Sequence, residues 1–245
     1  DAWGRSLDPA KGLTVVEIMD AVEEGNIRAM YVQGENPAMS DPDQNHARKA
    51  LASLEHLVVQ DIFLTETAWF ADVILPASAQ PEKPGTFTNS NRQVQVAMPV
   101  RKPPGDARQD WKLIVEMAQR SGLDWSYSDV GEIYTEMASH MPSLDNISWD
   151  RLMREGMVCY PAKSEDGPGE EVIFYDGFPT QSGKAKLVPT DLVPPDEMPD
   201  EEFPMVLTTG RMLEHWHTGA MTRRATHLNA QESEAVVSMH PKDIG

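Results

Sequence analysis

The sequence predicts an α/β protein in which a parallel sheet is flanked by helices, and three observations carry that expectation. Strand-length apolar runs alternate with helix-patterned segments through the first half of the chain, the signature of βαβ units. The runs are continuously apolar, as expected of strands covered on both faces. Gly34-Glu35-Asn36 and Gln60-Asp61 fall at the ends of two of them, and ligands of such sheets bind beyond the carboxyl ends of the strands.

Thr14 and Glu17 form a capping-box pattern around Val15, Ile18, Met19 and Val22, which recur at helical spacing, with Gly25 as the stop. Ile27 to Val32 is the first strand and runs into Gln33-Gly34-Glu35-Asn36-Pro37, a loop signal. A second helix follows Asp41-Pro42, with Ala47, Ala50, Leu51 and Leu54 on one face. Leu57 to Gln60 is the second strand, Thr65 to Ala71 a short helix, and Asp72 to Leu75 a third strand stopped by Pro76.

From Pro81 the character changes. Gly85 to Asn89 leads into Arg92 to Val96, where alternation with period two indicates strand. Pro103-Pro104-Gly105 is a break, and Asp106 to Ser121 is a helix with Trp111, Ile114, Val115 and Ala118 on its apolar side. Ser128 to Met141 and Ser148 to Glu155 are two further helices, and residues 163–171 are loop. Glu171 to Tyr175 and Lys184 to Val188 are predicted as strands around a glycine-containing turn. Residues 189–204, rich in Pro and acid, are predicted as an interdomain linker, and Met205 to Thr208 as the first strand of a β-rich region. The expected division is an α/β region over 1–125, a helical and strand connector with the acidic linker over 126–202, and the opening of a C-terminal β domain over 203–245.

The composition narrows the function classes. A formal net charge of −18 argues against nonspecific nucleic-acid binding, which needs a basic face to displace counterions. No apolar run is long enough to span a bilayer. The single cysteine, Cys159, cannot form an internal disulfide or supply a four-thiolate cluster alone; a reducing, cytoplasmic compartment is expected. The chain opens Asp1-Ala2-Trp3-Gly4, with no initiator Met, basic stretch or apolar segment, so an excised or incomplete polypeptide is expected.

The candidate site residues divide by chemistry. Gly34, Glu35 and Asn36 make a turn in which backbone can approach a ligand, or simply a turn, with Asn36 bonding a ligand or bracing the loop. Gln60 and Asp61 stand at a strand end, where an Asp carboxylate can accept the N1 and N2 protons of a guanine edge or cap the next helix. Lys83 can neutralise a pyrophosphate, bond a ribose hydroxyl, or lie solvated. Asp110 is a helix-start carboxylate, favoured there by the dipole. The richest stretch is Thr209-Gly210-Arg211-Met212-Leu213-Glu214-His215-Trp216-His217-Thr218, with backbone amides, a hydroxyl, a guanidinium fork and two imidazoles. Zinc is discounted, since Glu214-His215-x-His217 lacks the helical His-Glu-x-x-His spacing. Arg92, Arg223 and Arg224 are possible phosphate or interdomain contacts.

Taken in order, Gly34-Glu35-Asn36-Pro37, Val59-Gln60-Asp61-Ile62-Phe63-Leu64-Thr65-Glu66-Thr67-Ala68, Ala71-Asp72-Val73-Ile74-Leu75-Pro76, Glu82-Lys83-x-Gly85-Thr86-Phe87-Thr88-Asn89 with Arg92, and Thr209 to Gly219 resemble the molybdopterin oxidoreductases, and within them the formate dehydrogenase alpha subunits. The resemblance covers nearly the whole chain. It implies a molybdenum (or tungsten) ion between two molybdopterin guanine dinucleotides, and oxidation of formate to carbon dioxide. It implies that Gln60, Asp61 and Asp110 contact guanosine, that Lys83 contacts the cofactor, and that Thr209 to Thr218 wrap pterin and pyrophosphate. It places the 4Fe-4S cluster, the Cys or selenocysteine metal ligand and the assisting His and Arg in a missing upstream region, so no residue here is expected to be catalytic. Cys159 matches neither the cluster pattern nor the metal-ligand position. Pro84 stands where the family usually has an acidic residue. The expected partners are the remainder of the catalytic subunit and iron-sulfur or flavin electron-transfer subunits. The family's last domain is a β-barrel needing more residues than follow Met205, so the chain is expected to be truncated, and alone to bind cofactor weakly and not to catalyse. The alternatives are a nitrate reductase-like relative and a noncatalytic scaffold relative that kept the fold.

Overall fold

The computed structural model describes Gly4 and residues 6–244; Asp1 to Trp3, Arg5 and Gly245 lie outside the described residues. The chain divides into two compact units, residues 1–177 and 178–245.

The first unit opens on helix α1 (Val15–Glu23), which begins with the predicted capping box: the Thr14 hydroxyl accepts from the Glu17 amide, and the Glu17 carboxylate accepts from the Thr14 amide. Gly25, in the left-handed region at φ 78°, follows its end. Strand β1 (Ala29–Gln33) then leads through Gly34, also left-handed at φ 64°, into the short helix α2 (Pro37–Ser40) and helix α3 (Gln44–Ser53). Strand β2 (His56–Asp61) lies between β1 and strand β3 (Val73–Pro76), and both pairings are parallel. Met30 pairs with Leu57 and Gln33 with Gln60, and Val58 pairs with Val73 and Gln60 with Leu75.

Period two sorts the side chains of this sheet. Val32, Leu57 and Val59 pack with Met19 and Val22 of α1 and Ala50 and Leu51 of α3, forming one core. Tyr31 and Gln60 therefore project from the opposite face, and Gln60 is 0% exposed there. The short segment Thr65 to Ala71 forms only a 3-10 turn, Ala68–Phe70.

Strands β4 (Gly85–Thr88) and β5 (Gln93–Ala97) form an antiparallel hairpin, and strand β6 (Met157–Cys159) extends it on the far side of β5. Helices α4 (Asp110–Arg120), α5 (Val130–Ser139) and α6 (Trp149–Glu155) fall within their predicted spans. The N-cap Asp129 accepts the Gly131 amide at 2.8 Å, and the N-cap Ser148 accepts the Arg151 amide at 3.2 Å. A second core gathers Val94, Tyr134, Leu144, Ile147, Leu152 and Val158. Inside it the Tyr134 hydroxyl donates to the Ile147 carbonyl at 2.8 Å, satisfying a group that burial would otherwise strand.

Three predicted strands are not formed. Glu171 to Tyr175 lies in turns, Lys184 to Val188 is irregular, and so is Met205 to Thr208. A strand holds its shape through a ladder partner, and these segments have none among the described residues: Leu187 is 90% exposed and Leu207 85%. The described part of the second unit thus contains no strand of the expected β domain. Its regular elements are a 3-10 turn at Thr222–Arg224 and helix α7 (Thr226–Gln231). Among the described residues no helix is long and apolar enough to cross a membrane.

Candidate functional site

The carboxyl ends of the three parallel strands are tied together through their backbones. The Gly34 amide donates to the Gln60 carbonyl at 2.9 Å, and the Ala77 amide donates to the Asp61 carbonyl at 3.0 Å. Just past β3, Ala77 makes an isolated parallel bridge to Arg108. The Arg108 amide donates to the Pro76 carbonyl at 3.0 Å, and the Ser78 amide donates to the Arg108 carbonyl at 2.9 Å. This rudimentary fourth strand delivers Asp110, the first residue of α4, to the same edge.

There the side chains converge. Gln60 Nε2 donates to Asp110 Oδ1 at 2.8 Å, Lys83 Nζ pairs with Asp110 Oδ2, and the Tyr31 hydroxyl donates to Gln60 Oε1. Burial pushes the Asp110 carboxyl up. Hydrogen bonds from Lys83 and Gln60, with the Lys83 charge, outweigh that and hold it below the usual carboxylate range. Tyr31 is pushed the other way, by burial and then by the Asp110 charge. The result is an ionised carboxylate beside an ammonium, both only partly accessible, with side-chain exposures of 21% and 29%.

The other predicted residues of this unit divide. Asp61 is half-buried, and its Oδ1 accepts the Phe63 amide at 3.1 Å, a turn-type bond to the second residue on. Asn36 is buried and braces the loop. Its Oδ1 accepts from the Thr67 amide at 3.1 Å and the Thr67 hydroxyl at 2.8 Å, while its Nδ2 donates to Glu66 at 2.8 Å. Glu35 is exposed. Arg92 donates to the Tyr160 carbonyl and, at 2.7 Å, to the Glu171 carbonyl, a tie within the unit.

In the second unit the stretch from Thr209 to Thr218 is irregular, with Thr209, Gly210, Arg211, Met212 and Leu213 exposed and Glu214 and Thr218 half-buried. His215 is the buried member. Its Nε2 faces the Glu232 carbonyl at 2.6 Å, and its Nδ1 faces the Thr222 hydroxyl at 3.2 Å. A ring nitrogen facing a carbonyl must donate, so Nε2 carries a proton. The Trp216 amide also reaches the Thr222 hydroxyl, at 3.1 Å. Both imidazole nitrogens are thus spent within the unit. Trp216 and His217 are exposed and meet edge to face, with ring centroids 4.8 Å apart. Arg223 reaches the Ser233 carbonyl at 3.2 Å, and Arg224 the Ala220 carbonyl at 3.0 Å.

Two residues escaped the sequence reading. Tyr31 sits inside an apolar run, where it reads as one more core residue; its place one pleat from Gln60 emerges only from the strand register. Arg151 reads as a surface helix residue and is instead 2% exposed.

A parallel sheet flanked by helices, with polar side chains gathered at its carboxyl ends, defines an α/β protein of the kind that places its ligands at that edge. Sequence comparison narrows the class. Residues 6–120 match the family model described as molybdopterin oxidoreductase, and residues 205–245 match that of the molydopterin dinucleotide binding domain. The chain belongs to the molybdopterin oxidoreductase family. It is 42% identical over 244 residues to a formate dehydrogenase subunit alpha of Methanocaldococcus jannaschii, covering 98% of this chain and 36% of that protein. It is 39% identical over 242 residues to a putative formate dehydrogenase of Bacillus subtilis, covering 99% and 24%. It is 36% identical over 250 residues to the assimilatory nitrate reductase catalytic subunit of Bacillus subtilis, covering 98% and 35%. The chain therefore spans about a third or less of the length of these relatives. Among solved structures, acetylene hydratase from Pelobacter acetylenicus shares the fold, with a TM-score of 0.51 and 24% identity over 69% of this chain and 23% of that one.

Proposed function

We propose that this chain seats the guanosine end of a molybdopterin guanine dinucleotide, within a larger subunit in which a molybdenum or tungsten ion between two such dinucleotides oxidises formate to carbon dioxide. The observation that carries the reading is the Gln60–Asp110–Lys83 cluster at the carboxyl ends of the parallel strands, inside the stretch that matches the family model. A guanine edge presents N–H donors at N1 and N2 beside an acceptor at O6. A carboxylate beside an ammonium offers the complementary pattern. Ser78, on the same edge, is fully buried with a hydroxyl that has no partner among the described residues, the kind of group a ligand satisfies.

The bound cofactor supplies the two-electron chemistry; this chain binds and orients its nucleotide end. In the second unit the exposed Arg211 offers a planar fork to phosphate, and His215 ties the loop to Thr222 and Glu232. None of the candidate residues is assigned a catalytic role. Iron-sulfur or flavin subunits would carry the electrons away.

Calorimetric titration of the chain tests the reading. GDP is expected to bind, with ADP roughly tenfold or more weaker, because adenine puts an acceptor where guanine has a donor and mispairs an edge worth about 1–3 kcal/mol. Equal affinities would contradict it. A second reading, a nitrate reductase-like oxidoreductase, is favoured by the 36% identity to the nitrate reductase subunit. The full subunit separates the two by reducing an artificial acceptor with formate, or by consuming nitrate with a reduced dye.

A further inference from the structure

The cluster at the strand ends includes a fourth group, the Tyr31 hydroxyl. Gln60 is 0% exposed, so both ends of its amide need partners inside the protein. Nε2 has one in Asp110 Oδ1, at 2.8 Å. Oε1 has one in the Tyr31 hydroxyl, which reaches it from the neighbouring strand. The two bonds fix the amide in a single sense. Turned over, it would aim its carbonyl at the Asp110 carboxylate and its NH2 at the phenol. The donors run one way, from Tyr31 to Gln60 and from Gln60 to Asp110, with Lys83 closing on the other carboxylate oxygen.

We propose that Tyr31 is a positioning residue for base recognition: its hydroxyl locks the Gln60 amide, and the locked amide holds the Asp110 carboxylate with its acceptor edge toward a guanine base. The inference rests on the guanosine-seating reading above. The role proposed for Tyr31 runs through Gln60 and needs no contact with the base. Without its hydroxyl, Gln60 Oε1 becomes a buried acceptor with no donor, and rotation cannot rescue it because the carboxylate repels it. The amide then no longer holds Asp110 in one place, and discrimination between guanine and adenine falls with affinity.

Calorimetry on the full chain with GDP and ADP, in a cycle of Tyr31→Phe, Gln60→Met and the double variant, tests this. Tyr31→Phe is expected to weaken GDP by about tenfold and to lower the GDP-over-ADP preference. The double variant is expected to be no worse than Gln60→Met alone, because Tyr31 acts only through Gln60. Unchanged affinity and preference in Tyr31→Phe, or additive losses in the double variant, overturn the inference while leaving the guanosine reading intact. A wild-type chain that binds no GDP overturns that reading and this inference with it. Should Tyr31→Phe fail to fold, the wild-type chain carries its own answer by NMR. A Tyr31 hydroxyl proton protected from solvent exchange and close to the Gln60 side-chain amide is expected, and a hydroxyl exchanging as fast as that of a fully exposed tyrosine overturns the lock.

Discussion

Asp110→Asn weakens GDP binding by about a hundredfold while leaving the circular dichroism spectrum unchanged. The substitution preserves shape and removes charge. An Asn amide can present an oxygen to only one of the guanine donors, and its NH2 faces the other. Lys83, partly buried, loses its counter-charge at the same time. Hydrogen bonds to a charged acceptor are worth about 1.5–3 kcal/mol, and a hundredfold in Kd is about 2.8 kcal/mol, toward the upper end. The pH dependence follows from the depressed Asp110 carboxyl. Because its pKa lies below the usual carboxylate range in the folded chain, Asp110 is ionised from neutral pH down to the ordinary aspartate value of about 3.9 and takes up a proton only below it. GDP affinity attributable to Asp110 therefore stays level from neutral pH down to that range. A decline centred between about pH 5 and 6 that is present in the wild type and absent from Asp110→Asn would contradict the assignment, since the GDP phosphate titrates there in both.

Arg151→Met lowers the stability of the first unit by about 3–5 kcal/mol, the usual consequence of breaking a buried charged network by removing one member. Arg151 is 2% exposed and reaches in four directions. Its Nη1 donates to the Asn146 and Ser164 carbonyls at 2.8 and 3.0 Å, and its Nη2 to the Gly167 carbonyl at 2.5 Å. Its Nε lies 3.2 Å from both Glu155 carboxylate oxygens. A methionine fills much of the volume but strands three backbone carbonyls. Lysine does not restore them, because a single ammonium cannot span the positions that a planar fork reaches. The loss is large against a total stability of about 5–15 kcal/mol. Urea denaturation reads it as a lower midpoint with unchanged slope, and an unchanged midpoint would contradict the clamp.

The parallel sheet was legible because its strands are local apolar runs separated by turn residues with one plausible conformation each. Gly34 at φ 64° is such a residue, and the Thr14–Glu17 capping box is another purely local device. The convergence of Gln60, Lys83 and Asp110 was legible only as a resemblance. Residue spacing says nothing about Ala77 bridging to Arg108, the contact that brings α4 to the strand ends. Asn36 reads from sequence as ligand or brace, and its bonds to Thr67 and Glu66, about thirty residues on, are visible only in the fold. The failed strands have the opposite cause. Lys184 to Val188 and Met205 to Thr208 carry β-forming residues, but strand formation depends on a partner that a single segment does not specify. Tyr31 and Arg151 were missed because a polar group inside an apolar or helical pattern takes its role from neighbours distant in sequence.

Mapping GDP onto the isotopically labelled chain by NMR tests the central claim most directly. The largest shift changes are expected at Tyr31, Gln60, Lys83 and Asp110, with smaller ones at Gly34 and Ser78. Changes confined to residues away from the carboxyl ends of the parallel strands, or no changes at saturating GDP, would contradict it.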